Sequence, residues 1–361
     1  MTDTESTWGR RLGAAICEVC DWRYLYDSEI ESVTCPHCYK AALSPSTENP
    51  ADPFGNHKIT PGLVAPFSVS NSILRQKLME FAGSYWFAPV DLKTKNLLSR
   101  LRRVYVPAWL VASEVNASWQ ADVGYDYQVV SHRESYSSNR WITSEVRESK
   151  IRWEPRAGRL RRRYGNVRVP AMDEIEEIRD KLGKFDTKSA EDYQPGLINK
   201  ALIRLPNRDK VDAWPDTHLT FRQRATEECR QAAEADHIRQ FGWNADYNNQ
   251  SWSLLLLPIF STFYLDDNNE PVPVLLNGRT GQLYGHKRAS MKRAQRYSVA
   301  LAIMAAFLFL ITVLLIVTEP SLGAISGLAM IVVGVSAVLP IAYSSRFNRR
   351  QASDLVFDRV D

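Results

Sequence analysis

Residues 298–343 read SVALAIMAAFLFLITVLLIVTEPSLGAISGLAMIVVGVSAVLPIAY. Two uncharged apolar runs, Ser298–Val317 and Ala324–Tyr343, flank a short polar turn, Thr318-Glu-Pro-Ser-Leu322, which holds the only acid of the stretch and a helix-breaking proline. About 20 apolar helical residues cross the hydrocarbon core of a bilayer, and each run is that long. In lipid a helix satisfies its own backbone polar groups, so the stretch predicts two antiparallel membrane-spanning helices. The competing reading is a helical hairpin inside a soluble core.

The flanks set an orientation. Lys287, Arg288, Lys292, Arg293 and Arg296 precede the hairpin, and Arg346, Arg349 and Arg350 follow it. Positive charge beside a span favours the cytoplasmic side, so both termini are expected there, with Tyr297 and Tyr343 as interfacial anchors. No apolar stretch opens the chain, and no cleaved signal peptide is expected. These features predict a multi-pass protein of the cell membrane with two spans and a cytoplasmic N-terminal bulk.

The 361 residues leave ample length for a soluble core before the hairpin. The formal net charge of +4 is mild and comes partly from the basic cluster beside the spans. It does not by itself point to nucleic acid. Five cysteines in a cytoplasmic chain suggest metal ligands rather than disulfides.

Four of those cysteines form the clearest chemical motif: Cys17-Glu-Val-Cys20, fourteen residues, then Cys35-Pro-His-Cys38. Two C-x-x-C turns at this separation present four thiolates to one ion, the pattern of a structural zinc site. Trp22, Tyr24 and Tyr26 alternate between the pairs, which predicts a short hairpin with one covered face. So small a module buries little apolar surface, and metal binding would supply its folding energy. His37 lies inside the second pair, but four Cys already complete a tetrahedron.

Residues 44–62 are rich in Pro, Asn and Gly and read as a linker. Ser70–Ala82 has helical apolar spacing behind a serine cap, and Asp91–Arg103 reads as a second helix. The period then becomes two. Val104–Leu110 is an apolar strand containing Pro107, and Val115 to Tyr127 alternates apolar with polar residues, as a half-wet strand does. Trp141–Glu154 and Leu160–Val169 read as two strands around a turn at Pro155-Arg-Ala-Gly158. That hairpin is basic, with Arg147, Lys150, Arg152, Arg156, Arg159, Arg161, Arg162 and Arg163 against Glu148 and Glu154. It would suit nucleic acid or anionic headgroups, or it is a solvated sheet face.

Asp173–Leu182 reads as a helix capped by Asp173 and stopped by Gly183, residues 184–220 as irregular, and Phe221–Phe241 as a helix ended by Gly242. Cys229 inside it reads as a small core residue. Ser251–Tyr284 returns to strands, with turns at Asp266–Glu270 and Asn277–Gly281. The segments around Tyr105-Val-Pro-Ala-Trp-Leu and Leu257-Pro-Ile-Phe look alike, which hints at two related units in one sheet.

Together these readings define an α+β chain. It comprises an N-terminal zinc ribbon (1–43), a linker (44–62), a mixed α+β domain with an antiparallel sheet and β-hairpins (63–286), a basic juxtamembrane segment (287–297), a transmembrane hairpin (298–343) and a cytoplasmic tail (344–361). In its ordered motifs, Val104-Tyr-Val-Pro-Ala-Trp109, Trp153…Gly158, Leu256-Leu-Pro-Ile259, Asn277-Gly278…Thr280-Gly281 and Gly285, the chain resembles a family of bacterial zinc-ribbon membrane proteins. Members are often labelled primosomal or helicase-like, and some occur beside PspA-like and SPFH-domain proteins. The resemblance implies Cys17, Cys20, Cys35 and Cys38 as structural Zn2+ ligands, the hairpin as anchor and a role in membrane stress or envelope scaffolding. It implies no catalytic residue. The chain departs from the pattern at Phe260, where a Trp is expected after the Leu-Pro pair, and across residues 173–250.

No P-loop, G-x-S-x-G or H-E-x-x-H motif occurs, and the six His are scattered. No small-molecule substrate is evident. Gly323-Ala-Ile-Ser-Gly327 allows close helix approach, by packing of the two spans or by oligomerisation. The expected function is that of a non-enzymatic scaffold or adaptor holding protein partners at the cytoplasmic membrane face. The alternatives are nucleic-acid binding through the ribbon and the basic hairpin, and an unrecognised enzyme in a cleft of the β-rich domain.

Overall fold

The computed structural model describes residues 7–27, 33–46, 59–83, 85–137, 140–198, 200–318 and 320–357. The described strands are β1 (Leu12–Ile16), β2 (Arg23–Asp27), β3 (Ser44–Pro45), β4 (Pro61–Val64), β5 (Arg102–Ser137), β6 (Arg140–Pro170), β7 (Glu191–Asp192), β8 (Leu202–Arg204), β9 (His237–Leu265), β10 (Pro271–Asn277) and β11 (Leu283–Gly285). The described helices are α1 (Asn71–Ala82), α2 (Thr94–Ser99), α3 (Ile175–Leu182), α4 (Lys210–Ala232), α5 (Met291–Thr318), α6 (Pro320–Ser336) and α7 (Leu339–Phe357). The chain is mixed α+β around one sheet, ordered β11-β10-β9-β5-β8-β2-β1-β3, with β6 on β5 and β4 on β9. The sheet is mixed rather than purely antiparallel, because β4 joins β9 and β8 joins β5 in parallel.

The spine is the antiparallel pair β5–β9, registered from Arg102 opposite Ser261 to Gly124 opposite His237. Its centre reads as unbroken apolar sequence because both faces are covered. Tyr105, Trp109 and Val111 enter one core with Phe221 of α4, while Val106, Ala108 and Leu110 enter another with Ile175 and Ile178 of α3. The two look-alike segments are direct partners, with Tyr105 opposite Pro258 and Pro107 opposite Leu256. Each proline stands where its strand changes outer neighbour. Pro107 falls between the end of β8 and the start of β6, and Pro258 between β4 and β10. A missing N–H is harmless at such a gap.

Residues 102–137 form one strand, and so do residues 140–170. The turn expected at Pro155–Gly158 is absent: Pro155 pairs with Asp122 and Gly158 with Trp119, inside a continuous ladder. Pro155 is accommodated because, among the described residues, β6 pairs with no strand on its outer side. Gly158 lets the Trp119 ring lie across it, since a Cβ there would come 3.0 Å from the indole nitrogen. β5 ends at Ser137 and its antiparallel partner β6 begins at Arg140; residues 138–139 lie outside the described residues. Beyond Gly124, β9 is gone, and residues 125–137 and 140–152 continue as a two-stranded arm. At 13 residues a side this arm extends roughly 40 Å. Register shifts occur together beside Ala112 and Ser113 in both strands that flank β5.

The helices differ from expectation where tertiary contacts intervene. Asp91–Arg103 is helical only over Thr94–Ser99. Asp91 instead accepts from the Leu265 N–H (2.7 Å), Asn96 (2.9 Å) and Arg100 Nη2 (3.0 Å), tying the loop to the end of β9. Asp173 is not the cap of α3; that position is Glu174, and the Asp173 N–H donates to Asn207. α4 begins at Lys210 rather than Phe221, capped by Asp209, and carries Pro215 inside it. Its buried stripe of Ala213, Thr217, Phe221, Ala225 and Cys229 recurs every four residues. It ends at Ala232, not at Gly242, because His237 is drawn into the ladder opposite Gly124.

α5 and α6–α7 are each long and apolar enough to cross a membrane, and few of their apolar residues are buried. α5 already includes Met291–Tyr297, so the basic segment is largely its first turns. The second apolar run is two helices, broken at Ala337–Val338, where Pro340 offers no N–H to the Ser336 carbonyl. Gly323, Gly327 and Gly334 face Ile316, Thr312 and Ala305 of α5, an antiparallel register. The small-residue pattern therefore packs the two helices together. A Cβ at Gly323 would come 3.0 Å from the Ile316 backbone, whereas one at Gly327 meets a Thr312 methyl at 3.5 Å.

Two outcomes follow. Gly323→Val should lower the melting temperature in detergent by several degrees while Gly327→Ala leaves it nearly unchanged, read by differential scanning fluorimetry; equal effects would contradict the close approach. For Asp91, partial burial works to raise the pKa, but Arg100 and the Leu265 N–H outweigh it and hold the carboxyl below its usual value. Its contribution is present above the unfolded carboxylate pKa of about 3.9 and is lost as pH falls through the lower folded value. Asp91→Asn should thus destabilise by about 1–3 kcal/mol at neutral pH, with the gap to the natural chain closing in acid unfolding curves below about pH 4.

Candidate metal centre

The two C-x-x-C pairs fold into matching turns. The Asp21 N–H donates to the Cys17 carbonyl (2.8 Å), and the Tyr39 N–H to the Cys35 carbonyl (3.0 Å). Asp21 and Tyr39, each directly after the second cysteine of its pair, both adopt left-handed φ of 56° and 58°. The turns bring Cys17, Cys20, Cys35 and Cys38 together, with all four sulfurs within 4.8 Å of one another. Cys17 Sγ lies 3.5 Å from Cys38 Sγ, and Cys20 Sγ lies 3.7 Å from Cys35 Sγ. A tetrahedral ion with metal–sulfur bonds near 2.3 Å requires sulfur separations of about 3.8 Å, a spacing these two pairs approach, so the donor set is compatible with such an ion.

The electrostatics also suit a cation. Burial works against the Cys17 thiolate, but the N–H groups of Val19 and Cys20 outweigh it and hold the pKa below the usual thiol value. Burial pushes the Cys20 and Cys35 thiols up, and neighbouring sulfurs add to this. Collecting four thiolates here is unfavourable alone and becomes favourable around a divalent ion.

The surroundings were only partly legible. Trp22, Tyr24 and Tyr26 do line the covered side, and Tyr24 is buried with its hydroxyl 3.9 Å from Cys35 Sγ. But among the described residues the partners of β2 are β1 and β8 rather than the residues after it. The N-terminal module thereby belongs to the main sheet, and Trp8, Leu12 and Leu25 enter the same core as Trp109 and Phe221. The second turn rests on β9: Ser261 Oγ donates to the Pro36 carbonyl (2.6 Å) and lies 2.6 Å from the Tyr39 hydroxyl. Residues 47–58 of the expected linker lie outside the described residues. His37 stacks on Trp22 at 3.6 Å and 10°, and burial lowers its pKa to about 4, so its ring is a packed neutral group.

Sequence reasoning missed Arg204. It is 3% exposed, lies 4.2 Å from the Trp22 ring centroid and donates to the Arg23 carbonyl (3.2 Å). Its charge acts on Cys20 and Cys35. A four-thiolate site holding a divalent ion carries a net charge near −2, and a buried guanidinium beside it offsets part of that. The available signal was an arginine in the apolar strand Leu202-Ile-Arg-Leu205.

The basic hairpin is a single edge strand in which much of the charge is paired. Arg152 and Arg156 bind Glu154 (3.0 and 2.9 Å), Arg147 binds Glu145 (2.9 Å), and Arg162 reaches Glu228 of α4 (3.2 Å). Among the described residues, Arg159, Arg161 and Arg163 form no ion pair. An open groove of about 1310 Å3 runs between α3, α4 and the sheet over Met172, Leu255 and Leu257. Its charges largely engage each other, as in Arg208 with Asp216 (2.9 Å) and Asp173 (3.6 Å).

Comparison with family models, with curated proteins and with solved structures found no match. The reading of this centre therefore rests on its own geometry. Metal analysis of the purified full chain should find one tetrahedrally held ion, lost in Cys17→Ser and Cys35→Ser. Arg204→Met, which keeps the bulk and removes the charge, should weaken metal retention about 10- to 100-fold in chelator competition; unchanged retention would remove Arg204 from the centre.

Proposed function

We propose that the protein is a membrane-anchored adaptor. α5 and α6–α7 cross the membrane with both chain ends cytoplasmic, the four cysteines hold a structural zinc ion, and protein partners dock on the β-arm. Zinc is favoured because four thiolates at tetrahedral spacing, with no position left open, are the structural-site donor set. The basic residues at both flanks of the hairpin favour the orientation.

One observation carries the adaptor reading. Residues 125–137 and 140–152 project from the sheet as a two-stranded arm with exposed Tyr127, Val130, Trp141 and Ile151. A hairpin of only two strands is marginal alone, and exposed aromatics on such an element are typical partner anchors. The metal module, by contrast, is embedded in the sheet through β8, so the arm, rather than the ribbon, is the recognition element. Arg159, Arg161 and Arg163, on one face of β6, keep nucleic acid as the second reading.

The test is affinity isolation of the intact protein from detergent-solubilised membranes beside two variants. In one, Val130 to Arg147 are replaced by Asn-Gly, so that Val129 and Glu148 close a shorter hairpin. In the other, Arg159, Arg161 and Arg163 are changed to Glu. Stoichiometric protein partners lost only with the shortened arm are expected. Partners retained by both variants would overturn the arm as docking site. Nuclease-sensitive material lost only in the arginine variant, with steep salt dependence, would establish the second reading instead.

A further inference from the structure

Where the two apolar helices meet the sheet domain, the chain builds an aromatic collar. Tyr85 stacks on Phe347 (4.9 Å), Phe87 packs on Tyr297 (5.5 Å) and Tyr343 (6.1 Å), and Trp86 lies 6.0 Å from Tyr343. The collar is held firmly. The Ser290 N–H donates to the Phe87 carbonyl (2.6 Å), Arg293 to the Ala88 carbonyl (2.6 Å), and the Asn348 amide makes two hydrogen bonds to the Ala289 backbone (2.8 and 3.0 Å). Beside it opens a cleft of about 530 Å3, walled by Trp86 on one side and by one stripe of α7 on the other.

The chemistry of that stripe changes along its length. It runs from Ser336, Leu339 and Pro340 at the helix break, through Tyr343, to Arg346 and Arg350. An occupant must therefore be apolar at one end and anionic at the other. Trp86 is 74% exposed although its neighbours are packed, so its indole is presented to the cleft and not to the core. The cleft opens beside the helix break at residues 337–338, next to Ser336, Leu339 and Pro340. Arginines one turn apart suit a phosphate, which accepts paired N–H donors from a guanidinium.

We propose that this cleft is a binding site for one anionic phospholipid. Its phosphate lies between Arg346 and Arg350, and an acyl chain runs along Tyr343, Pro340 and Leu339 beneath Trp86. The inference rests on the reading of the two helices as membrane spans, since only then does the cleft lie at the level of lipid headgroups. Bound lipid would fix α7 against the loop at Tyr85–Phe87 and so set how the sheet domain stands on the membrane.

The test uses the full chain in nanodiscs of phosphatidylglycerol and phosphatidylcholine in equal parts, followed by native mass spectrometry. One phosphatidylglycerol should stay with each chain. Arg346→Gln with Arg350→Gln should weaken that retention about tenfold or more, and Trp86→Ala should weaken it without a change of charge. A control double variant, Arg296→Gln with Arg349→Gln, removes the same charge outside the cleft and should retain the lipid. Equal loss in the control, no preference for phosphatidylglycerol, or displacement by inorganic phosphate would overturn the site. Alkaline carbonate extraction of the same samples separates the two readings: a chain that stays in the membrane without retaining lipid sinks the cleft alone, and a chain that is released sinks the spanning reading with it.

Discussion

The fold depends on the antiparallel pairing of β5 with β9. This pair carries the apolar centre of the sheet, with a separate core on each face, and every other part is hung from it. α3 and α4 cover its faces, β4 and β8 join it in parallel, and the metal module reaches it through β8 and through Ser261. The pairing brings residues near 105 against residues near 257, so it closes a very long loop. That closure is entropically costly and is offset by burial on both faces at once. The two prolines inside the pair are placed where an outer neighbour ends, so neither removes a ladder bond that has a partner.

The metal centre and the junction with the apolar helices lie toward the same end of the spine. Ser261 holds the second cysteine turn, while Tyr264 and Asp266, a few residues along the same chain, bind the backbone and guanidinium of Arg288 just before α5. The four-cysteine module and the root of the proposed anchor are thus fixed to one strand end. The arm leaves from the opposite end of β5, beyond Gly124, after a strand path of roughly 75 Å. The long edge of β6 is charged and carries Pro155, features that discourage uncontrolled strand addition while leaving side chains available. The geometry suits a protein that is held at one end and makes contacts at the other.

The cysteine cluster, the apolar helices and the alternation from Val115 to Val123 were legible in the sequence because each is a local pattern, whereas Tyr127, expected on the covered face, is exposed because, among the described residues, no strand or helix covers the arm there. Spacing in a C-x-x-C turn, the length of an uncharged run and a period of two are set by a few neighbouring residues. Cys229 was readable for the same reason, since a stripe recurring every four residues buries it. Errors arose where a local signal had a second meaning. Pro155 and Gly158 look like a turn, yet one sits on an unpaired edge and the other lies beneath Trp119. Ala232 to Asp236 favours helix, yet pairing of His237 with Gly124 ends it.

By itself, then, the sequence determined the four thiols that cluster as a candidate metal site, the two long apolar helices and the alternation of buried and exposed residues from Val115 to Val123, because these are properties of short segments. Only the tertiary structure decided that the four-cysteine module shares the domain's sheet, that Arg204 lies beside its thiols, that the basic stretch 147–163 is one continuous edge strand running from the arm into the sheet, and that α6 gives way to α7 next to an aromatic collar. Those features join residues far apart in the chain. Their stability comes from long-range pairing and burial, which no local pattern encodes.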